Sequence, residues 1–330
     1  MKRFLKVLSV FTILLVVAVL SIFGMRVYNH ATYQWEEDEV VHLHDYEAYP
    51  DTFSNGQITH FEEGVANGFH LQPDEPIDAP PVVLFGGSEG SSNFEEAVRL
   101  AKEGYETYAL FFFGASNQPE TLNRVPLEFF SDFLKTFDLE ETAVTVIGYS
   151  KGAELALNLT NYYPTIEQLV LYTPSEYTYM GLEFSADTGS SWTWEGEELP
   201  YINFDGVDGF TMFTTMFDML IASPIAYRDT YESAVENANN RETARINTSN
   251  FDGRALLFAG EKDEMWQGDT AARQIGEALG NQAEVVLYRE AGHSFGMSPY
   301  YAGMALGGTT QANVEAKRDS DELLFDFLAE

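Results

Sequence analysis

The sequence predicts an α/β fold built on a doubly wound, mostly parallel β-sheet. From residue 80 onward, short apolar runs typical of buried strands alternate with segments whose apolar residues recur every three or four positions, as in helices. A glycine–serine–glycine motif lies at one strand-to-helix junction, at 148–152. The chain has 330 residues, of which 45% are hydrophobic. This is sufficient for one domain of about 250 residues with additional segments.

Residues 1–27 are predicted to form a transmembrane helix. The run 7–23 carries only apolar and hydroxyl side chains. The stretch 4–27 supplies the roughly 20 residues that a membrane span requires, with Lys6 and Arg26 at its ends. Because no small-residue cleavage motif closes the run, the sequence favours an uncleaved signal anchor over a removed signal peptide, which would give a secreted protein.

The charges on either side of this helix predict its orientation. Lys2, Arg3 and Lys6 precede it, and the acidic segment 36–39 follows it. Since basic residues are retained on the cytoplasmic side, the amino terminus is predicted to lie in the cytoplasm. We therefore expect a single-pass protein of the cell membrane whose remaining part is extracytoplasmic.

Two regions are predicted after the membrane segment. Residues 28–78 are interrupted by Pro and Gly, and their short alternating pieces indicate a stalk with a hairpin or edge strands. Residues 79–330 are predicted to form the α/β domain. Its first strand, at 80–85, opens into the glycine-rich loop 86–92, which lacks the G-x-G-x-x-G spacing of dinucleotide-binding motifs.

Helices and strands then alternate to the end of the chain. Helices are predicted at 94–103, 127–137, 153–161, 269–279 and 319–328, and strands at 105–113, 143–147, 168–172, 254–260 and 283–288. Between about 175 and 250 the alternation is lost and aromatic residues accumulate. We predict that this insertion is a cap. Its aromatic side chains favour an apolar ligand, although most of them are expected to be ordinary core residues.

The motif at the strand-to-helix junction is typical of a nucleophile elbow. Ser150 lies between Gly148 and Gly152, with the apolar run 143–147 before it and a helical pattern after it. A serine on such a sharp turn requires glycine two positions to either side, because side chains there would collide with the neighbouring helix and strand. Ser150 is therefore the predicted nucleophile of an α/β-hydrolase fold.

The order of residues along the chain selects the other members of a triad. In α/β-hydrolases the nucleophile precedes the acid and the acid precedes the histidine. Of the six histidines, only His293 follows Ser150, and it comes just after a predicted strand. Asp263 is the predicted acid, because it follows the strand 254–260 by three residues. Glu261 and Glu264 are alternatives.

Two backbone amides are predicted to form an oxyanion hole. One is the N–H of Lys151, directly after the nucleophile, and the other is the N–H of Ser88 in the glycine-rich loop. The side chain of Lys151 is expected to point to solvent.

Composition excludes several other kinds of site. The chain has no cysteine, so disulfides, thiolate metal sites and a cysteine nucleophile are excluded. Its formal charge of −34 repels nucleic acid. His42 and His44 have no further ligand at a zinc-like spacing. No metal, cofactor or nucleic-acid partner is predicted.

The region 80–328 resembles the carboxy-terminal domain of the acyl-CoA thioesterase and bile-acid amino-acid N-acyltransferase family. The similar segments are 84–90, 148–155, 194–196, 199–200, 260–266, 291–293 and 306–309. This resemblance implies an α/β-hydrolase fold and a triad at Ser150, Asp263 and His293. In that family a cysteine nucleophile accompanies transfer to amino acids, so a serine implies hydrolysis.

The predicted function is that of a serine hydrolase. It would cleave a small-molecule ester or thioester of an apolar acyl group through an acyl-enzyme, as an acyl-CoA thioesterase or a carboxylesterase does. Two alternatives remain open: a membrane-tethered binding or sensing module without turnover, and an anchored peptidase of the same fold.

Overall fold

A computed structural model describes residues 2–33, 43–183 and 187–330 of the chain. The helices in these residues are α1 Lys2–Tyr33, α2 Phe94–Lys102, α3 Phe129–Thr136, α4 Lys151–Leu159, α5 Gly209–Ile221, α6 Arg228–Asn237, α7 Arg241–Ala244, α8 Gly268–Leu279 and α9 Thr310–Ala329. The strands are β1 Thr52–Phe53, β2 Gly56–Glu63, β3 Ala66–Pro73, β4 Val82–Phe85, β5 Thr107–Phe111, β6 Val125–Pro126, β7 Val144–Tyr149, β8 Ile166–Tyr172, β9 Trp192–Trp194, β10 Glu197–Glu198, β11 Arg254–Gly260, β12 Ala283–Tyr288, β13 Tyr300–Tyr301 and β14 Met304–Ala305.

Nine of these strands form one sheet, in the order β1-β2-β3-β5-β4-β7-β8-β11-β12. Every neighbouring pair from β5 to β12 is parallel, whereas the pairs among β1, β2, β3 and β5 are antiparallel. The predicted mostly parallel sheet is confirmed. Strands β5, β4 and β7 are the middle three of the nine. Nearly all of their residues are buried, as expected of strands covered on both faces.

Helices cover both faces of the sheet, so the sheet is doubly wound. Side chains alternate along the strands: Val83 and Phe85 pack with α3, α4 and α8, while Val82 and Leu84 pack with α2 and α9. All four side chains are fully buried. Burial of an aliphatic or aromatic side chain contributes about 1.5–3 kcal/mol, so these two cores fix the positions of the strand ends that carry the site.

The sheet extends into the segment that the sequence predicts as a stalk. Strands β2 and β3 form a hairpin, and β3 pairs with β5 from Asn67 to Leu71. Phe69 and Leu71 on β3 are buried against α2. The physical reason is that these side chains complete the core on one face of the sheet. Residues 52–73 are thus edge strands of the main sheet, and the predicted boundary at residue 79 does not coincide with a boundary of the sheet.

Helix α1 is the one helix in the described residues that is long and apolar enough to cross a membrane, from Lys6 to Tyr33. Its 32 residues give a length of about 48 Å, which exceeds the roughly 30 Å of a hydrocarbon core. A membrane anchor and a signal sequence share these properties. The acidic segment 36–39 and His42 lie outside the described residues.

The predicted cap, about 175–250, contains α5, α6 and α7 together with β9 and β10. Part of it packs into a separate aromatic cluster with Tyr177, Tyr179, Tyr231 and Trp266. Tyr177 and Tyr179 are core residues, as the sequence predicts for most aromatic residues of the insertion, whereas Phe210, Phe213 and Phe217 are exposed.

Candidate active site

Ser150 occupies the turn between β7 and α4. Its backbone angles are φ 53° and ψ −116°, a combination that costs a non-glycine residue about 1–3 kcal/mol. The turn is held because the Ser150 N–H donates to the carbonyl of Tyr172 at 2.9 Å, and the Ser150 carbonyl accepts from the N–H of Ala153 at 2.9 Å. The arrangement is that of a nucleophile elbow.

The two glycines of the motif lie where no side chain fits. A Cβ atom on Gly148 would be 2.2 Å from the carbonyl oxygen of Gly152, and a Cβ atom on Gly152 would be 2.1 Å from the carbonyl oxygen of Gly86. The second contact shows that the elbow packs directly against the glycine-rich loop after β4. The glycines therefore let the turn and this loop approach each other.

The structure brings the three predicted triad residues together. His293 Nε2 lies 2.9 Å from Ser150 Oγ, and His293 Nδ1 lies 2.8 Å from Asp263 Oδ2. Ser150 follows β7, Asp263 follows β11 and His293 follows β12, so all three residues lie at the carboxyl edge of the parallel sheet, with β8 between β7 and β11. The alternative acids have other surroundings: Glu261 pairs with Arg273, and burial raises the pKa of Glu264.

Backbone groups hold the side chain of Asp263 and the backbone of His293 in place. Asp263 is 1% exposed, and its Oδ1 accepts from the N–H groups of Met265 at 2.8 Å and Trp266 at 3.2 Å. The N–H of His293 donates to the carbonyl of Leu306 at 2.7 Å. One carboxylate oxygen is thus fixed by the backbone and the other is directed at the imidazole.

The glycine-rich loop lies beside Ser150. A Cβ atom on Gly87 would be 3.5 Å from Ser150 Cβ. Ser88 lines a cavity that is also lined by Ser150 and His293. The loop is held by Glu89, whose Oε1 accepts from the Gly87 N–H at 2.9 Å and from the Ser91 hydroxyl at 2.5 Å. The role of Glu89 in holding this loop was not predicted. The feature of the sequence that indicates it is an acidic residue inside a glycine-rich loop, next to the predicted oxyanion hole.

The prediction that the side chain of Lys151 points to solvent is wrong, because this side chain is buried. Its side chain is 2% exposed, and Nζ donates to Glu154 Oε2 and Ser191 Oγ, each at 2.8 Å. The physical reason is that the cap covers the first turn of α4, so that every residue of this helix is buried. This correction applies only to the side chain of Lys151. The backbone N–H of Lys151 lies at the start of α4, next to Ser150.

Glu154 completes a buried polar network behind the elbow. Its Oε1 accepts from Trp192 Nε1 at 2.8 Å and from the N–H of Tyr179 at 3.1 Å. Burial raises the pKa of Glu154 and lowers the pKa of Lys151, and their mutual attraction opposes both shifts. The i, i+3 spacing of the two residues on one helix is the feature of the sequence that indicates this pair.

A cavity of about 350 Å³ opens over Ser150 and His293. Half of its other lining residues are apolar or aromatic, and the rest include the charged Glu89 and Lys317; the apolar and aromatic ones are Tyr149, Tyr172, Met265, Phe295, Met297, Tyr301, Met304 and Leu306. The size and lining suit a small ligand with an apolar portion.

Among residues 2–33, 43–183 and 187–330, no cluster of three or more His, Cys, Asp or Glu side chains is arranged to hold a metal ion. His44 packs against Phe111 with ring centroids 4.8 Å apart. Burial lowers its pKa.

A parallel sheet with a nucleophile elbow, followed by an acid and then a histidine on neighbouring strand ends, defines the α/β-hydrolase fold. Residues 125–329 match the family described as BAAT / Acyl-CoA thioester hydrolase C terminal. The chain belongs to this family, and the resemblance seen in the sequence is confirmed.

Individual relatives are distant. Human acyl-coenzyme A thioesterase 6 is 23% identical over 239 residues, which cover 70% of this chain and 52% of that protein. Human acyl-coenzyme A thioesterase 1 is 23% identical over 243 residues, with the same two coverages. The chain therefore spans about half the length of these relatives. An acylaminoacyl peptidase from Pyrococcus horikoshii superposes with a TM-score of 0.50 at 14% identity, over 83% of this chain and 42% of that one. This likeness shows the fold.

Proposed function

We propose that this chain is a serine hydrolase that cleaves an acyl ester or thioester through an acyl-enzyme. The observation that carries the proposal is the unbroken line of hydrogen-bond contacts from Ser150 through His293 to Asp263, with distances of 2.9 and 2.8 Å. This geometry allows a proton to leave the serine hydroxyl as the oxygen attacks a carbonyl carbon.

In the first half of the reaction, His293 Nε2 accepts the proton from Ser150 Oγ while the oxygen bonds to the carbonyl carbon. The backbone amides of Ser88 and Lys151 donate to the oxygen that becomes negatively charged. His293 then gives the proton to the leaving thiol or alcohol as the acyl–leaving-group bond breaks. Asp263 accepts from Nδ1–H and stabilises the charged imidazole.

In the second half, water attacks the acyl-enzyme. His293 removes a proton from this water, the tetrahedral intermediate collapses, and Ser150 Oγ leaves with that proton. The products are a carboxylic acid and the free enzyme.

The family and the cavity both bear on the acyl donor. The relatives are named as thioesterases of acyl-coenzyme A, which favours a thioester, and the apolar lining of the cavity favours an apolar acyl group. We assign α1 as an uncleaved anchor, because no small-residue cleavage motif closes its apolar run. The charges on its two flanks favour an orientation with the hydrolase part outside the cytoplasm.

The test is hydrolysis by the full chain in nanodiscs, with a series of p-nitrophenyl esters and a series of acyl-CoA thioesters. Replacement Ser150→Ala removes the nucleophile, and we expect turnover to fall by about 10⁴-fold or more. Ser294→Ala is the matched control, because Ser294 lines the same cavity, and it should still react with a fluorophosphonate. Equal rates for the native chain and Ser150→Ala would overturn the proposal.

A further inference from the structure

Helix α5 has its apolar face outward and its polar face inward. Phe210, Phe213 and Met216 are 76%, 63% and 61% exposed, and Phe217, Met219 and Leu220 are also exposed. The half-buried positions include Thr214 and Thr215, and Thr215 Oγ1 lies 3.3 Å from Thr230 Oγ1 on α6. An amphipathic helix on a water-facing surface has the reverse arrangement.

This helix is firmly fixed. The carboxylate of Asp208 caps its amino terminus and accepts from the N–H groups of Phe210 at 2.9 Å and Thr211 at 3.1 Å. The hydroxyl of Ser233 on α6 also donates to Asp208, at 3.0 Å. The outward direction of the apolar face is therefore set by the fold. A contiguous exposed apolar face of this kind marks an interaction surface.

The last turn of α5 contacts the membrane-spanning candidate α1. Arg26 Nη1 donates to the carbonyl of Leu220 at 2.8 Å, and Asn29 Nδ2 donates to the carbonyl of Ile221 at 2.9 Å. Arg26 is the first charged residue after the apolar run 7–23, so it lies where α1 would leave the hydrocarbon region. The exposed face of α5 thus begins beside the membrane surface.

The rim of the active-site cavity lies next to the end of α1 and to the segment after α5. Strands β13 and β14 form a hairpin, and its residues Tyr301 and Met304 line the cavity. On one side, the ring of Tyr33 at the end of α1 contacts that of Tyr300, with centroids 4.8 Å apart. On the other side, Ile225, in the segment after α5, donates its N–H to Gly303 and accepts from that of Ala305, each at 2.9 Å.

We propose that the apolar face of α5 is inserted into the bilayer that holds α1, and that the cavity receives an acyl ester or thioester dissolved in that bilayer. The substrate part of this inference rests on the proposed function. The occupant of the face is assigned as a zwitterionic phospholipid surface, because the face is continuous with α1. A charge of −34 on each chain opposes both a second copy and an anionic lipid surface.

The position of α5 can be measured with a spin label, because the chain has no native cysteine. Phe213→Cys carries the label in the full chain in phosphatidylcholine nanodiscs. Asp252→Cys is the control, since Asp252 is exposed just before β11, at the end of the sheet opposite the site. We expect the label at 213 to be relaxed by oxygen and shielded from a water-soluble nickel complex, and the label at 252 to show the reverse.

Two outcomes of this measurement would overturn the inference. One is equal exposure of both labels to the nickel complex, which would place the face in water. The other is shielding of the label at 213 from both reagents with a short distance between labels on two chains, which would assign the face to a second copy.

The substrate is tested with the pair Phe213→Asp and Phe217→Asp in one chain. We expect hydrolysis of a long-chain acyl ester in phosphatidylcholine vesicles to fall at least tenfold, while hydrolysis of a water-soluble short-chain p-nitrophenyl ester is unchanged. Ile77→Asp is the matched control, because Ile77 is 43% exposed and precedes β4, at the end of the sheet away from the site.

The outcomes separate this inference from the proposed function. Ser150-dependent hydrolysis of the soluble ester, with vesicle hydrolysis unaffected by the double replacement, would overturn the inference and leave the proposed function intact. Insertion of α5 without hydrolysis of either substrate would overturn the proposed function and the assigned substrate, while the membrane position of α5 would stand.

Discussion

At the scale of single residues, the site depends on the two carboxylate oxygens of Asp263, which have different partners. Oδ1 accepts from the backbone N–H groups of Met265 and Trp266, and Oδ2 faces His293 Nδ1. The backbone contacts therefore determine which oxygen meets the imidazole. In the proposed mechanism, this arrangement holds His293 in the tautomer that leaves Nε2 free to accept a proton from Ser150.

Replacement Asp263→Asn tests this division. The backbone N–H groups should retain the amide oxygen and turn the NH₂ group toward His293, which favours the wrong tautomer. We expect kcat to fall by about 10⁴-fold with little change in the thermal midpoint. Glu264→Gln is the control and should stay within about threefold of the native rate, a span of less than 1 kcal/mol. A native rate for Asp263→Asn would show that Asp263 does not orient the base.

The sequence predicted these residues because the elbow, the acid and the base each follow a strand in a fixed chain order. It did not predict the surroundings of Lys151, because burial of a side chain depends on a cap that closes from residues 40 positions away, such as Ser191. Local patterns reveal strands and turns. They do not show which distant segment covers them.

At the scale of elements, the junction of β7 and α4 is packed against the loop after β4. Replacement Gly152→Ala places a Cβ atom 2.1 Å from the carbonyl oxygen of Gly86, and backbone atoms on both sides cannot yield without moving the loop. We expect the amide of Ser88 to be displaced and kcat to fall by about 10²-fold or more, the usual effect of losing one oxyanion donor. Measurement of kcat for Gly152→Ala checks this prediction. The control is Ala153→Gly, at the next position of the helix. An unchanged kcat for Gly152→Ala would contradict it.

The buried pair in α4 gives a prediction about stability. Lys151→Met leaves Glu154 without its cation, and removal of one partner of a buried pair costs about 3–5 kcal/mol. The double replacement Lys151→Met with Glu154→Gln should recover much of this loss, because an amide oxygen can still accept from Trp192 and Tyr179. Urea unfolding of the native chain and the two variants measures the difference. Equal stability of the single variant and the native chain would show that the pair is not buried.

The single variant should also acquire a pH dependence. Burial raises the pKa of Glu154 above its ordinary value of 4.5, and loss of Lys151 removes a contact that lowers it. A carboxyl whose pKa is raised binds its proton more tightly in the folded state, so stability is lost as pH rises through the folded-state pKa. We therefore expect Lys151→Met to lose less stability at pH 5 than at pH 7. The opposite trend would contradict this assignment.

Strand pairing at this scale was only partly predictable. The alternating piece at 57–61 indicated a hairpin, but the register of β3 with β5 joins residues about 40 positions apart. Pairing over such a distance is decided by burial of side chains such as Phe69, and a sequence pattern shows only that a strand is present.

At the scale of the whole molecule, α1, α5 and the cavity rim meet on one side of the protein. The apolar run of α1 was visible in the sequence because a span needs about 20 apolar residues. The outward apolar face of α5 was not, since its aromatic residues are indistinguishable in sequence from those that form the cap core. Tyr231 and Phe213 illustrate this, because one is buried and the other is 63% exposed.

The anchor assignment predicts the mature form of the protein. Since the run 7–23 is not followed by a small-residue cleavage motif, we expect the chain recovered from membranes to keep its first 33 residues and to resist extraction with alkaline carbonate. Intact-mass measurement checks the first result, and protease added to intact cells should degrade the hydrolase part. A soluble product that lacks α1 would instead identify a signal peptide.

Covalent labelling shows whether Ser150 is the nucleophile. The full chain in nanodiscs is treated with a fluorophosphonate and digested, and the modified peptide is identified by mass spectrometry. We expect one adduct, on Ser150, that is abolished in Ser150→Ala and strongly slowed in His293→Ala. An unmodified Ser150, or an adduct on another serine that persists in Ser150→Ala, would contradict it.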